Sequence, residues 1–460
     1  MVFPIVGGTQ STGYDISNSL KFNDDDSSLL SRAYSTDPSD QKLTTISFWF
    51  KIGNITDGFR SLYRFNDGSA TGAVYLRSGN DLQLAWDLSS SSMDVRPNGV
   101  FRDPTAWYHF HAKVDTTQGT AANRVIIHIN GVERTYGTAT YPNQNATLQH
   151  LTSGKTYYIG GDGQSSDKYF DGYITEFNII DGQAKEYTDF GEFNDNGVWI
   201  PKKYTGTYGN NGFYLQFKQT GTSQNSSGIG ADTSGNDLHW AVANLAAADV
   251  TEDTCTNNFC TLNPLHKSTS NVLLSEGNLK AVLNQTSGWQ HAAGTIAVKS
   301  GKFYWEAKAL NVSATDKTSI GVLQFNTTDV DFIGNTNTDR SSKGISGHGA
   351  GTGSYSYAEG DIIQCAMDLD NNKIYWGKNG TYFGTLNPAN GSGSTTQTID
   401  NANFCVPVVG GYADSSWEMN FGVPQFSISS GNSDGEYGDF EYAPPSGFYA
   451  LCTKRIGEFG

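Results

Sequence analysis

Short segments in which apolar and polar residues alternate recur along the whole chain. Residues 360–384 contain two of them, separated by the sequence Asp-Asn-Asn. In the first segment Ile363, Cys365, Met367 and Leu369 recur at every second position, and a strand places such residues on one face. Asn and Asp tolerate left-handed backbone angles and therefore favour a reversal of the chain. The pattern predicts a β-hairpin with one buried face.

The same alternation predicts strands in the first part of the chain. Clusters of Gly, Asn, Asp and Ser separate these segments, and no long apolar period of 3.6 residues appears. Such spacing is typical of antiparallel sandwiches. The fold class is therefore predicted to be all-β, with two antiparallel β-sandwiches. The predicted strands of the first sandwich lie at residues 44–52, 81–88, 106–115, 124–133 and 169–184.

The chain of 460 residues is too long for one ordinary core, and its composition indicates three regions. We predict a first sandwich at 1–195, a connector rich in Gly, Ser and Asn at 196–263, and a second sandwich at 264–460. The connector contains one or two strands and the apolar residues Trp240 and Leu245. We expect it to be ordered and to pack between the sandwiches.

The charge balance excludes several kinds of partner. The formal net charge is −16 and the pI is about 4.8, whereas nucleic-acid binding requires clustered Lys and Arg. No segment approaches the roughly 20 apolar residues of a membrane span, and no signal peptide is recognised. Of the five cysteines, Cys255 and Cys260 alone are spaced for a local disulfide, and that bridge is left open.

Several strand motifs resemble known families. SGKFYWEAKAL at 300–310, SIGVLQF at 319–325 and the hairpin at 360–384 resemble a SPRY-type sandwich. WYH at 107–109 and FDGYI at 170–174 resemble the laminin G modules of the concanavalin A-like family. These resemblances imply binding modules, although some concanavalin A-like sandwiches are glycosidases.

The whole chain resembles virion proteins of marine tailed phages that join a laminin G-like module to a SPRY-like module. GNNGFYLQF at 209–217 and PPSGFYALCTKR at 444–455 support this resemblance. It implies a location on the virion surface, after synthesis in the host cytoplasm without a signal peptide. It also implies other virion proteins as partners, and homo-oligomerisation is left open.

Catalytic residues are not evident. A glycosidase needs two carboxyl groups facing each other across a cleft. The pairs Asp87 with Asp94 and Glu436 with Asp439 are interpreted as solvated turns. We therefore predict that the protein is not an enzyme and needs no cofactor, with Ca²⁺ as the alternative.

Three histidines are candidate metal ligands. If residues 106–115 and 124–133 form a hairpin, His111 lies opposite His128, and His109 lies on the same face. Three imidazoles on adjacent strands could hold Zn²⁺. Packing and hydrogen bonding are the favoured interpretation of the same residues.

Two acidic clusters provide the hard oxygen ligands that Ca²⁺ prefers. The first contains Asp24, Asp25 and Asp26, and the second contains Asp232 and Asp237. Neither follows the spacing of an EF-hand loop, and turns rich in Asp and Asn explain both clusters without a metal.

Aromatic residues near loops or out of phase with the apolar rows are candidates for ligand binding. Trp49 is out of phase with its strand, whereas Trp86 is in phase and predicted to be in the core. Core or edge packing is the favoured alternative for each candidate. The candidates are Trp49, Trp107, Trp289, Tyr355, Tyr357, Tyr412 and Trp417.

The favoured hypothesis is a tail fibre or receptor-binding protein that presents non-catalytic modules to host glycans or surface proteins. A capsid decoration or fibre protein with a structural role is the alternative. A polysaccharide depolymerase is a further alternative from another functional class.

Overall fold

The computed structural model describes residues 13–55, 58–66, 71–88, 92–163, 168–284, 288–312, 318–325, 342–346, 357–393, 399, 402–411 and 415–460. The chain divides into two compact units, Ser11–Thr256 and Asn257–Gly460. Within the described residues, no helix is both long enough and apolar enough to cross a membrane.

The first unit is built from short strands with 3-10 helices at Ala121–Arg124, Tyr187–Asp189 and Ala247–Asp249. Its strands are β1 (Ser19–Phe22), β2 (Leu29–Ala33), β3 (Leu43–Ile52), β4 (Arg60–Asn66), β5 (Thr71–Leu76), β6 (Leu82–Asp87), β7 (Ser92–Pro97), β8 (Trp107–Asp115), β9 (Val125–Ile129), β10 (Val132–Glu133), β11 (Tyr136–Thr140), β12 (Thr156–Ile159), β13 (Gly172–Asp181), β14 (Gly191–Phe193), β15 (Trp199–Pro201), β16 (Phe213–Leu215), β17 (Ala241–Ala243) and β18 (Val250–Thr251).

Sixteen of these strands form two antiparallel sheets with one core between them, and β14 and β15 pair as a separate hairpin. Sheet A has the order β10-β9-β8-β3-β13-β1-β18, with β16 also paired to β13. Sheet B has the order β11-β7-β6-β5-β4-β12-β2-β17. Phe48 and Phe50 from sheet A and Trp86 from sheet B are buried in the same cluster. The predicted first sandwich, and the core position of Trp86, are thus confirmed.

The segment 196–263 differs from the predicted connector. Its strand β16 pairs with β13, β17 pairs with β2, and β18 pairs with β1. Trp240 is fully buried in the first core, as are Phe213 and Leu215. These apolar side chains complete the first sandwich, so residues as far as Thr256 belong to its compact unit.

The second unit is also a β-sandwich, with a 3-10 helix at Pro388–Asn390 and helix α1 at Thr453–Phe459. Its strands are β19 (Leu262–Lys267), β20 (Val272–Ser275), β21 (Lys280–Leu283), β22 (Gln290–Gly294), β23 (Lys302–Asn311), β24 (Thr318–Phe325), β25 (Ser342–Ser346), β26 (Ile362–Asp368), β27 (Lys373–Lys378), β28 (Thr381–Tyr382), β29 (Phe404–Gly411), β30 (Ser415–Asn420) and β31 (Tyr449–Ala450).

Two sheets enclose the second core. Sheet C has the order β19-β22-β29-β24-β25, and sheet D has the order β20-β21-β30-β23-β26-β27-β28. The pairing is antiparallel except where β31 lies parallel to β23. Side chains of both sheets, such as Ala292 and Trp305, belong to one buried cluster.

The hairpin predicted at 360–384 is present as β26 and β27, with Met367 opposite Ile374. All four residues of the predicted apolar row are buried with no exposure. Asn372 has a φ of 56°, which is the left-handed conformation that an Asn turn tolerates. All five cysteines of the chain are free thiols.

Candidate functional site

The outer face of sheet A is covered by other parts of the chain. The hairpin β14–β15 brings Trp199 against this face, where Trp49, Trp107 and Tyr173 are buried with it. Gly131 permits this contact, because a Cβ atom there would lie 2.2 Å from the Trp199 ring. The indoles of Trp49 and Trp107 are 4% and 9% exposed. Contact between either indole and a ligand would therefore require the covering segments to move.

The three candidate histidines lie beneath the same cover. The predicted register is confirmed, because His111 pairs with His128. Trp199 Nε1 donates to His109 Nδ1 at 3.1 Å, and an indole nitrogen can only donate. His109 is therefore the neutral tautomer with its proton on Nε2, which lies 2.9 Å from Ser47 Oγ. Both ring nitrogens of His109 are thus used within the protein.

The other two imidazoles are packed among aromatic rings. His111 Nε2 donates to the Lys185 carbonyl at 3.2 Å, and the His128 ring stacks on Tyr187 at 4.1 Å. Burial lowers the pKa of His109 to about 3, and it also lowers the pKa values of His111 and His128. Across the described part of the chain, no group of three or more His, Cys, Asp or Glu residues is arranged to hold a metal ion.

The first acidic cluster forms the turn after β1. Asp24 accepts a hydrogen bond from Asn54 at 3.0 Å, and Asp26 accepts one from Asn23 at 3.0 Å. Burial raises the pKa of Asp24, and Asp25 is exposed. The Asp and Asn side chains organise this turn, and the calcium role stays a prediction.

The second acidic cluster does not converge on one point. Asp232 is buried and accepts hydrogen bonds from the backbone amides of Tyr214, Ser234 and Leu238. Asp237, in contrast, has a side chain that is 91% exposed. Asp232 therefore organises its own loop, and a shared calcium role of the two aspartates stays a prediction.

The aromatic candidates of the second unit have different environments. Tyr357 and Trp417 are buried and contact each other with ring centroids 5.4 Å apart. Trp289 is half-buried beside β22. Tyr355 and Tyr412 lie outside the described residues. Their roles in ligand binding stay predictions.

Sheet B presents a different outer face. On β6 the buried residues Leu82, Leu84 and Trp86 alternate with the more exposed Gln83 and Ala85. β7 shows the same alternation, with Met93 and Val95 buried. Backbone pairing between neighbouring strands places Tyr158, Arg64, Ala73, Ala85 and Asp94 in one row across five strands, in which Arg64 and Ala73 are buried. We define this row together with Tyr75, Gln83 and Arg96 as the sheet B face.

Two half-buried tyrosines provide aromatic surface on the sheet B face. Tyr158 projects from β12 and packs over Gly163, where a Cβ atom would lie 2.2 Å from the ring. Tyr75 projects from β5 and meets Phe59 edge to face, with ring centroids 5.7 Å apart. Desolvation raises the pKa of Tyr75, so its hydroxyl stays protonated at neutral pH.

A network of polar side chains lies beside these rings. Gln83 donates to Asp94 at 2.9 Å, and Arg96 donates to both oxygens of Asp94 at 3.0 and 2.5 Å. Arg64 forms an ion pair with the fully buried Asp162 at 2.5 Å. Bonds of this kind hold the amide and guanidinium groups in defined orientations. The sheet B face therefore combines aromatic surface with oriented donors and acceptors.

The sequence patterns did not single out Tyr75 or Tyr158. Gln83 and Ala85 could have been assigned to the outer face, because they are out of phase with Leu82, Leu84 and Trp86. Tyr158 joins this face only through the non-local order β12-β4-β5. No local pattern reveals that order.

Two further carboxyl groups with raised pKa values, Glu176 and Glu306, lie outside the sheet B face. Burial raises the pKa values of Glu176 and Glu306 to about 7. Glu176 accepts hydrogen bonds from Tyr14 and Tyr214, both in the first unit. Glu306 lies in the second unit and binds backbone amides there. Each group serves a separate set of packing contacts.

Comparison with protein families shows that residues 23–186 match the concanavalin A-like lectin/glucanases superfamily. The match covers β2 to β13, which include the strands of the sheet B face. A search of curated proteins gave no significant match.

Among solved structures, similar chains include the SPRY domain of human HERC1, at 18% identity and a TM-score of 0.26, covering 34% of this chain and 96% of that one. A heptameric SAP-like pentraxin from Limulus polyphemus has 16% identity and a TM-score of 0.26, covering 40% of this chain and 76% of that one. Domain 4 of the extracellular arabinanase AbnA from Geobacillus stearothermophilus, solved with arabinotriose, has 21% identity and a TM-score of 0.25 over 32% of this chain and 64% of that one. At these TM-scores the alignments carry no inference about a ligand.

Proposed function

We propose that this protein is a non-catalytic glycan-binding protein whose first sandwich holds the sugar on the sheet B face. The half-buried rings of Tyr75 and Tyr158 beside the Gln83–Asp94–Arg96 network are the observation that supports this proposal. Aromatic rings pack against the C–H faces of sugars, while fixed amides, carboxylates and guanidinium groups bind the hydroxyls. The match of residues 23–186 to a superfamily of lectins and glucanases is consistent with this role.

Binding without catalysis is supported by the contacts of Asp94 and Asp162, whereas Asp87 is exposed on the same face. A glycosidase needs a carboxylic acid and a second carboxylate across the scissile bond. Both carboxylate oxygens of Asp94 accept hydrogen bonds from Arg96. Asp162 is fully buried beneath Arg64. Neither carboxyl group is therefore suited to act as a general acid.

The binding role is tested with a glycan array and the full-length protein. Tyr75→Ala and Tyr158→Ala are each expected to weaken binding to a captured glycan roughly tenfold, which corresponds to about 1.4 kcal/mol. Tyr442→Ala, which changes a half-buried tyrosine of the second unit, is the matched control and should bind normally. Binding that is unchanged in both sheet B variants, or no captured glycan at all, would contradict the proposal.

We further propose that the protein is displayed on a phage virion and presents this face to glycans of the host surface. The resemblance of the chain to phage virion proteins supports this location. Antibody labelling of purified particles should mark their surface, at the tail for a receptor-binding protein and over the shell for a capsid decoration protein. Particles that lack the protein would refute the location.

The depolymerase alternative makes a separate prediction. Incubation of the protein with host polysaccharide would release new reducing ends if the protein were an enzyme. We expect none above the level of a heat-denatured sample, and a steady release would overturn the non-catalytic assignment.

A further inference from the structure

We infer that the sheet B face selects uncharged glycan chains of several sugars over acidic ones. This inference rests on the proposed function and specifies the chemical class of its ligand. It follows from how the charges on this face are paired and from how far apart the two tyrosines lie.

Both guanidinium groups of the sheet B face already have a carboxylate partner, and so does the guanidinium group of Arg77 beside the face. Arg96 forms two hydrogen bonds with Asp94, and Arg64 pairs with Asp162 at 2.5 Å. Arg77, which lies over the Phe59 ring, pairs with Asp81 at 3.0 Å. An acidic sugar would therefore have to compete with an internal carboxylate for each guanidinium charge.

Displacement is disfavoured by burial and by net charge. Asp162 has no exposed side-chain area, and separating it from Arg64 would leave this buried charge with only the longer contact to Lys168 at 3.7 Å. Asp87 lies exposed on the same face of β6 and adds negative charge near the site. The whole chain carries a net charge of −16, which repels polyanions at longer range. Hydroxyl groups, by contrast, can bond to the paired side chains without breaking these ion pairs.

The spacing of the tyrosines indicates a ligand longer than one sugar. Tyr158 lies opposite Arg64, and Arg64 lies opposite Ala73, two residues before Tyr75. Two strand spacings of about 4.8 Å and two residues of about 3.3 Å each place the tyrosine backbones about 12 Å apart. The small side chains of Ala73, which is buried, and Ala85, which is partly exposed, lie in the same row. A backbone separation of this size matches an extended chain of several sugars better than a single pyranose ring.

The inference is tested with the full-length protein on an array that carries neutral and uronic-acid oligosaccharides of two to six sugars. We expect Tyr75-dependent and Tyr158-dependent capture of neutral chains, with at least tenfold tighter binding of the hexasaccharide than of the disaccharide. Affinity should change less than threefold between 50 and 500 mM NaCl, because no ion pair forms with the ligand. Tighter binding of acidic chains, or equal binding of the disaccharide, would overturn the inference.

A charge variant provides a second test. Asp94→Asn frees Arg96 and should increase retention on a heparin column, so that elution shifts to higher salt than for the parent protein. Asp361→Asn removes the carboxylate that pairs with Lys378 in the second unit and makes the same change in net charge, so it is the matched control. An equal shift for both variants would mean that Asp94 does not determine the charge preference of the face.

The outcomes separate this inference from the proposed function. Capture of acidic chains that depends on Tyr75 and Tyr158 would leave glycan binding in place and refute the preference for neutral chains. Capture of no glycan of either class would refute the proposed function itself.

Discussion

Glu306 shows how one buried side chain organises a loop of the second unit. Its Oε1 accepts hydrogen bonds from the Tyr304 hydroxyl and the Tyr442 amide, each at 2.8 Å. Its Oε2 accepts hydrogen bonds from Asn420 at 3.1 Å and from the Glu441 amide at 3.0 Å. Each carboxylate oxygen is therefore matched to a backbone N–H group, which can only donate.

Glu306→Gln is expected to loosen this loop whichever way the new amide turns. Its NH₂ group must face a backbone N–H, either that of Glu441 or that of Tyr442. A lost hydrogen bond of this kind costs about 1–3 kcal/mol. Hydrogen exchange at residues 436–442 should therefore accelerate at least fivefold in the variant.

Glu359→Gln is the control for this prediction, because residue 359 is exposed. Exchange at residues 436–442 should be unchanged in this control. Equal exchange rates in the parent protein and in Glu306→Gln would show that the loop is held by other contacts.

The hairpin β14–β15 depends on neutral histidines beneath it. Protonation of His109 at Nδ1 would place an N–H group against the Trp199 N–H donor. The pKa of His109 is about 3 in the closed state, below the ordinary value of 6.5 for an exposed imidazole. As the pH falls, an opened state that exposes this ring therefore takes up the proton before the closed state does. Between pH 6.5 and pH 3 the closed state therefore loses stability relative to the opened state as the pH falls. The loss is about 1.4 kcal/mol per pH unit for each imidazole that opening exposes. Above pH 6.5 this contribution is absent.

Limited proteolysis of the full chain at pH 7.5 and pH 5.5 should detect the opening. Cleavage within residues 186–201 is expected to rise at least tenfold at the lower pH, after correction for protease activity on an unfolded standard. His128 contributes as well, although Glu133 and Glu186 raise its pKa and Lys113 lowers it. His128→Gln should therefore reduce the pH dependence. Cleavage that is equal at both pH values would contradict the prediction.

At the level of the complete chain, the boundary of the first unit decides which fragments can fold. Residues after 195 supply Phe213, Leu215 and Trp240 to the first core. Losing one large buried side chain typically costs 3–5 kcal/mol, and a domain has only about 5–15 kcal/mol in total. Residues 11–256 should therefore fold without the second unit, whereas residues 11–195 should not.

Urea titration of the two fragments tests this expectation. The fragment 11–256 should show a cooperative transition in its tryptophan fluorescence, and the fragment 11–195 should show none. Matching transitions in both fragments would mean that β16, β17 and β18 add little stability to the first sandwich.

Local pattern alone predicted the strands, the hairpin at 360–384 and the opposition of His111 and His128. These features depend on neighbouring residues, because alternation assigns a face and a turn sets the register of a hairpin. The same reasoning correctly placed Trp86 in the core. For Trp49 it recognised a departure from the apolar row, but it could not show what lies over that face.

The tertiary structure decided what lies over the outer face of sheet A and which side chains share the sheet B face. Trp199 lies 150 residues from Trp49 in the sequence yet is buried with it, while Tyr158 and Tyr75 share a face only because β4 lies between their strands. Contacts of such separation depend on how the sheets assemble, and no period in the sequence encodes them. The amino-acid pattern was therefore sufficient to predict two β-sandwiches. The location of the candidate glycan site depended on the packing of distant segments.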